Sequence, residues 1–158
     1  MRTWVDASTL IALDAVGEVA VLRDLLGRVA ITKQVAEEVF IGRESRILRE
    51  ARRNWIEVRE VKGDLKRWTA FRLGKGEASM FFTPEDDRLV LDGTPARTVA
   101  ESEGRVYVGL LGLLSAGARI RSLPVDRARE SVHRLAQSGF HMVSHLYEAV
   151  VQDLREQE

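Results

Sequence analysis

The chain has 158 residues, no cysteine, and 24 Lys and Arg set against 24 Asp and Glu. That length supports one substantial core and is short for two ordinary domains, while the missing cysteine excludes a disulfide framework and thiolate chemistry. A formal charge of zero gives no argument for nucleic acid, although a neutral total is compatible with a basic rim around an acidic centre.

The first residues read as mature protein, because Asp14, Glu18 and Arg23 interrupt the apolar stretch before it can act as a signal or a span. With no cysteine either, a cytoplasmic location is expected. The longest uncharged tract, Val106 to Ala118, has 13 residues, whereas a membrane helix needs about 20. No membrane partner is expected.

In chain order, Thr3-Trp4-Val5 is a strand, Asp6-Ala7-Ser8-Thr9 supplies capping oxygens, and Leu10 to Leu13 begins a helix. Val29 to Ile31 repeats the unit, with Thr32 capping a helix from Lys33. Ser45 to Arg53 is a charged helix with Ile47 and Leu48 turned inward. Trp55 to Val61 then alternates with strand period, as an edge strand or an extended connection. A helix over Asp64 to Phe71 follows, and Gly74 and Gly76 precede a helix that Glu77 opens. Pro84 to Asp87 is a turn, with Asp86 and Asp87 solvated. Leu89 to Leu91 and Val106 to Val108 are further strands, separated by a helix that Thr94 and Pro95 open. The pattern predicts an α/β fold with a twisted, parallel central sheet. The core spans residues 1–122, and 123–158 forms a helical extension packed on the same domain.

Acidic residues stand at the ends of these elements. Asp6 closes the first strand and Asp92 the strand at Leu89 to Leu91, so in a parallel sheet both reach the same edge. Glu38 leans toward the buried face set by Val35 and Val39, and Glu77 starts its helix. Oxygen ligands without thiolate suit Mg²⁺ or Mn²⁺, one or two ions, and such ions support phosphodiester hydrolysis. Each residue also has a plain structural role: a helix cap for Asp6, a turn for Asp92, an exposed ion pair for Glu38, and a favourable place in the first helical turn for Glu77. Ser8 can cap in place of Asp6 or orient its carboxylate. Arg43, Arg46 and Arg49, with Lys75, are candidate contacts to RNA phosphates. Gly74 and Gly76 would leave room for a substrate backbone. His133, His141 and His145 lack a zinc motif, and no serine sits in a nucleophile elbow.

Three segments together resemble the PIN-domain family, in particular the VapC-like toxin ribonucleases of prokaryotic toxin-antitoxin pairs. Val5-Asp6-Ala7-Ser8-Thr9 is similar to the opening motif, Val35-Ala36-Glu37-Glu38-Val39 to the acidic helix, and Gly74-Lys75-Gly76-Glu77-Ala78 to the third motif. The likeness extends through Gly139-Phe140-His141 and Leu146-Tyr147-Glu148. It implies a three-layer α/β/α fold and a metal-dependent endoribonuclease, with Asp6, Glu38, Glu77 and Asp92 as ligands. It also implies RNA as substrate and a cognate antitoxin as partner, while the apolar Leu110 to Leu114 run and the C-terminal helices leave a partner surface open to a homodimer. Where relatives often carry two adjacent aspartates, or one placed a residue later, this chain has Asp92-Gly93. A non-enzymatic RNA- or protein-binding domain on the same fold is the alternative. A phosphoacceptor domain lacks the second acidic residue beside Asp6.

Overall fold

The computed structural model describes residues 1–138 and 144–158, and the Gly139-Phe140-His141 stretch lies outside the described residues. β1 (Thr3–Val5) ends at Asp6, whose extended backbone (φ −79, ψ 164) caps α1 (Ala7–Val16). Gly17 closes α1 at φ 75, a left-handed turn that costs glycine no Cβ clash. After it come α2 (Ala20–Leu26), β2 (Val29–Thr32) and α3 (Lys33–Phe40). Thr32 Oγ1 caps α3 by accepting the Val35 N–H at 3.1 Å.

α4 (Arg46–Asn54) runs directly into β3 (Ile56–Arg59), which pairs with β2 in the register Val29↔Ile56. The alternating segment is therefore an edge strand. α5 (Lys66–Thr69) is one turn, shorter than the sequence pattern suggests, because Arg72 at φ 64 and the glycines behind it cannot prolong the helix. The remaining elements are α6 (Lys75–Met80), β4 (Arg88–Val90), α7 (Thr94–Ser102), β5 (Tyr107–Val108), α8 (Leu110–Arg119), α9 (Val125–Gln137) and α10 (Ser144–Glu156).

All five strands are parallel, in the order β3-β2-β1-β4-β5. From β1 the chain builds outward through β2 and β3, then returns to the other side of β1 for β4. The boundary between β1 and β4 is thus the topological switch point, where the crevice of an open parallel sheet lies beyond the strands' carboxyl ends. Apolar β1, β2 and β4 residues, among them Trp4, Val5, Ile31, Leu89 and Val90, are buried on both faces, as strands covered by helices require. α9 packs on α1 and α8, and α10 packs on α8 and α9. No described helix is long and apolar enough to cross a membrane.

Two local expectations are corrected. Asp87 is not a solvated turn residue: it is buried and accepts the Arg2 N–H and the Trp4 indole N–H, each at 2.9 Å. Arg105, also buried, holds that turn through Thr83 Oγ1 at 2.8 Å and the Pro84 carbonyl at 2.9 Å. Ile47 is 50% exposed rather than turned inward, because the buried stripe of α4 passes through Leu48 and Ala51, three residues apart.

Candidate functional site

Asp6 combines the two roles that its position allows. One carboxylate oxygen accepts the Thr9 N–H at 2.9 Å and caps α1, and the other accepts the Asp92 N–H at 3.0 Å. A single side chain therefore joins the end of β1 to the end of β4. At 1% exposure the carboxylate is almost out of water. Burial pushes its pKa up, against the two backbone donors and the nearby Arg97 charge. Asp6 rather than Ser8 is the cap; Ser8 lies exposed in the first turn.

The Asp92 side chain is 8% exposed and faces Arg97 Nη2 at 3.5 Å. Burial and then the Asp6 charge push its carboxyl up to about 7, opposed by Arg97 and by the Leu110 backbone N–H at the start of α8. Glu77, in the first turn of α6, reaches back to the Gly74 N–H at 3.4 Å. Burial raises its pKa, and the charges of Asp6 and Glu38 raise it further against that bond. Glu38 extends from α3 and accepts the Gly76 N–H at 3.0 Å. Glu77 is thus within reach of the Asp6 and Glu38 charges, and Asp92 within reach of the Asp6 charge.

The loop between α5 and α6 sets their spacing. Thr32 Oγ1, already the cap of α3, lies 2.7 Å from Ser79 Oγ, which donates to the Gly76 carbonyl at 2.5 Å. Those bonds fix α6 against α3. A Cβ at Gly76 would stand 2.6 Å from Glu38 Oε1, so the space at this glycine is occupied by Glu38 rather than left for substrate. A Cβ at Gly93 would stand 3.0 Å from Glu77 Oε2. The glycines let the carboxylates approach backbone.

Arg97 escaped the sequence reading. It donates through Nε to the Leu91 carbonyl at 3.3 Å and faces Asp92, with its guanidinium 5.9 Å from the Tyr107 ring centroid. A Cβ at Gly109 would meet Arg97 Nη2 at 2.2 Å, so only glycine lets the guanidinium lie there. The available signal was the spacing: helical side chains lean toward the N-terminus, and Arg97 stands one turn inside α7 after Asp92.

The other cations divide by position. Lys75 is exposed at the first residue of α6, beside the carboxylates. The α4 arginines are placed by the ties at the two ends of that helix. Ser45, which caps α4, is bonded to Asp14, about 12 Å along α1 from Asp6. At the other end of α4, the Asn54 and Trp55 carbonyls accept from Arg28 and from Val29 at the start of β2. Arg43 and Arg49 are exposed, and Arg46 pairs with Glu50 at 3.3 Å.

Among the described residues, no three acidic or histidine side chains stand as a ready-made metal cluster. The carboxylates point instead at backbone N–H groups. Their donor set still fits a hard divalent cation: it is all oxygen, each oxygen keeps a second lone pair after accepting one N–H, and the raised pKa values mark negative charge in want of a counter-ion.

A family model described as a PIN domain matches residues 3–156. No curated protein and no solved structure matches the chain.

Proposed function

The chain belongs to the PIN-domain family, and on that premise we propose that it is a divalent-metal-dependent endoribonuclease acting on single-stranded or structured RNA. The observation that supports this reading is the bond that ties Asp6 to the Asp92 backbone at the switch point, with Glu77 within reach of the Asp6 and Glu38 charges. The toxin role in a toxin-antitoxin pair, with an antitoxin protein as partner, rests on the family resemblance.

Asp6, Glu38, Glu77 and Asp92 would hold one or two Mg²⁺ or Mn²⁺ ions. Bound there, a divalent cation lowers the pKa of water and offsets charge on the scissile phosphate. The protein's own part is to fix the carboxylates. Asp6 keeps β1 and β4 in register at their ends, Gly76 and Gly74 hold Glu38 and Glu77, and Arg97 restrains Asp92.

A labelled single-stranded RNA, the purified protein, and Mn²⁺ or EDTA test the reading. Cleavage is expected with Mn²⁺ alone, and Glu77→Gln should slow it at least about 100-fold, the size of losing a few kcal/mol of transition-state stabilisation. Cleavage that persists in EDTA, or proceeds at the parental rate in E77Q, sinks the metal-nuclease assignment. The alternative, an inactive RNA- or protein-binding PIN domain, draws on the two backbone bonds that already engage Asp6. RNA binding without cleavage in any divalent ion would favour it.

Gly93 offers a second check. Its φ of −77 carries no left-handed penalty, so the obstacle to a side chain is Glu77 Oε2 at 3.0 Å. Gly93→Asp is expected to tighten Mn²⁺ binding in calorimetry and to lower the melting temperature in EDTA, since it adds a carboxylate to a crowded set. Weaker Mn²⁺ binding by the folded variant would reject Gly93 as the place of a missing ligand.

A further inference from the structure

Phe71 is 53% exposed, yet its ring is held in place. It packs on Trp68 with centroids 5.8 Å apart, and Trp68 packs on Phe81 at 5.6 Å. Phe81 is the C-cap of α6, the helix that carries Glu77. Trp68 is 5% exposed and its indole N–H is buried without a partner, so stacking rather than a hydrogen bond sets its position. Cations flank Phe71 along the chain and over its stacking partner. The Arg67 guanidinium lies 4.8 Å over the Trp68 ring, Arg72 follows Phe71 directly, and Lys75 begins α6. Among the described residues none of these three pairs with a carboxylate.

Arg72 stands at φ 64, a conformation that glycine or asparagine adopts at lower cost. An arginine kept in a strained backbone points to a use for its side chain. From Phe71 to Gly74, whose N–H is bonded to Glu77, the chain can span at most about 11 Å. An apolar protein helix would leave these cations without partners, whereas single-stranded nucleic acid matches both features, because bases stack on aromatic faces while phosphates take the cations.

Resting on the reading of RNA as the substrate, we infer that Phe71 is a stacking platform for one unpaired nucleobase beside the scissile phosphate, with Arg72 and Lys75 taking the adjoining phosphates. The subsite selects single strands, since a base inside a duplex is not free to stack.

Anisotropy of a labelled 12-nucleotide single-stranded RNA tests this without cleavage, on the full chain carrying Glu77→Gln and in Mn²⁺. Phe71→Ala is expected to weaken binding about 10-fold, and Phe71→Trp to stay within about 3-fold of the parent. Phe71→Leu, which keeps apolar bulk against Trp68, should melt like the parent and still lose the affinity. Moving one abasic nucleotide along the RNA should reveal one sensitive position in the parent and none in F71A. Equal binding by F71A and the parent, no binding by the parent, or an abasic penalty that survives in F71A would each overturn the platform; equal binding would leave the ring to a protein partner. A protein that stacks RNA here but cleaves nothing would fail as a nuclease and keep the subsite.

Discussion

In EDTA, the melting temperature is expected to fall by about 5–10 °C between pH 5 and pH 8, and Mn²⁺ is expected to recover most of that loss. The sign follows from Asp92, whose carboxyl is raised from 3.8 to about 7 by burial and by Asp6. A carboxyl with a raised folded-state pKa stabilises the fold fully below its unfolded value, and that stability is lost as pH climbs to the folded value. The window is therefore pH 4 to 7. Asp6 and Glu77, both raised, act in the same direction. A shift of this size is worth on the order of 3 kcal/mol across the measured range. A divalent ion at about 100 times its dissociation constant returns a comparable amount. Scans of the parent and of Asp92→Asn at several pH values check the cause: the slope should flatten in D92N. A parent whose melting is independent of both pH and Mn²⁺ would mean that these carboxylates do not share a charged pocket.

Asp6→Asn should separate catalysis from folding more sharply than any other change. Metal-dependent RNA cleavage is expected to fall at least about 1,000-fold, while the melting temperature in EDTA stays within about 3 °C of the parent. Asparagine is a good helix cap, so the bond from the Thr9 N–H survives. Its amide N–H₂ cannot accept the Asp92 N–H, a loss of about 1 kcal/mol. Removing a buried charge beside Asp92 offsets that loss. The same variant should lose its stabilisation by Mn²⁺. If D6N unfolds far below the parent, the cap and the strand tie dominate at this position; undiminished cleavage by the folded variant defeats the ligand assignment outright.

Much of the fold was legible because short buried strands alternate with polar caps. Thr3–Val5 and Val29–Thr32 each end in a capping oxygen, from Asp6 and Thr32, and the parallel order follows from that repeat. Asp6 and Asp92 could be paired from sequence because a parallel sheet brings strand ends together. What could not be read were contacts whose meaning depends on a distant partner. Asp87 looks like any turn aspartate until Trp4 and Arg2 are found donating to it. Arg97 looks like a surface residue until Gly109 provides the gap that it fills. Gly76 suggested space for a ligand, yet Glu38 from α3 takes that space. For the α4 arginines the number was plain, but where they stand depends on the ties that Ser45 and Asn54 make to distant parts of the chain.

The bond from the Asp92 N–H to Asp6 spans 86 residues of chain. Contacts of such long sequence separation form only after the loop-closure entropy has been met, and here β4 must first settle beside β1. During synthesis the N-terminal aspartate emerges early and waits for its counterpart. Until β4 and the residues just beyond it have left the ribosome and docked, the growing polypeptide has one half of an acidic edge and nothing across from it. For the ribonuclease proposed above, that order would leave the acidic edge incomplete, and RNA near the translating ribosome uncut, until the sheet is closed.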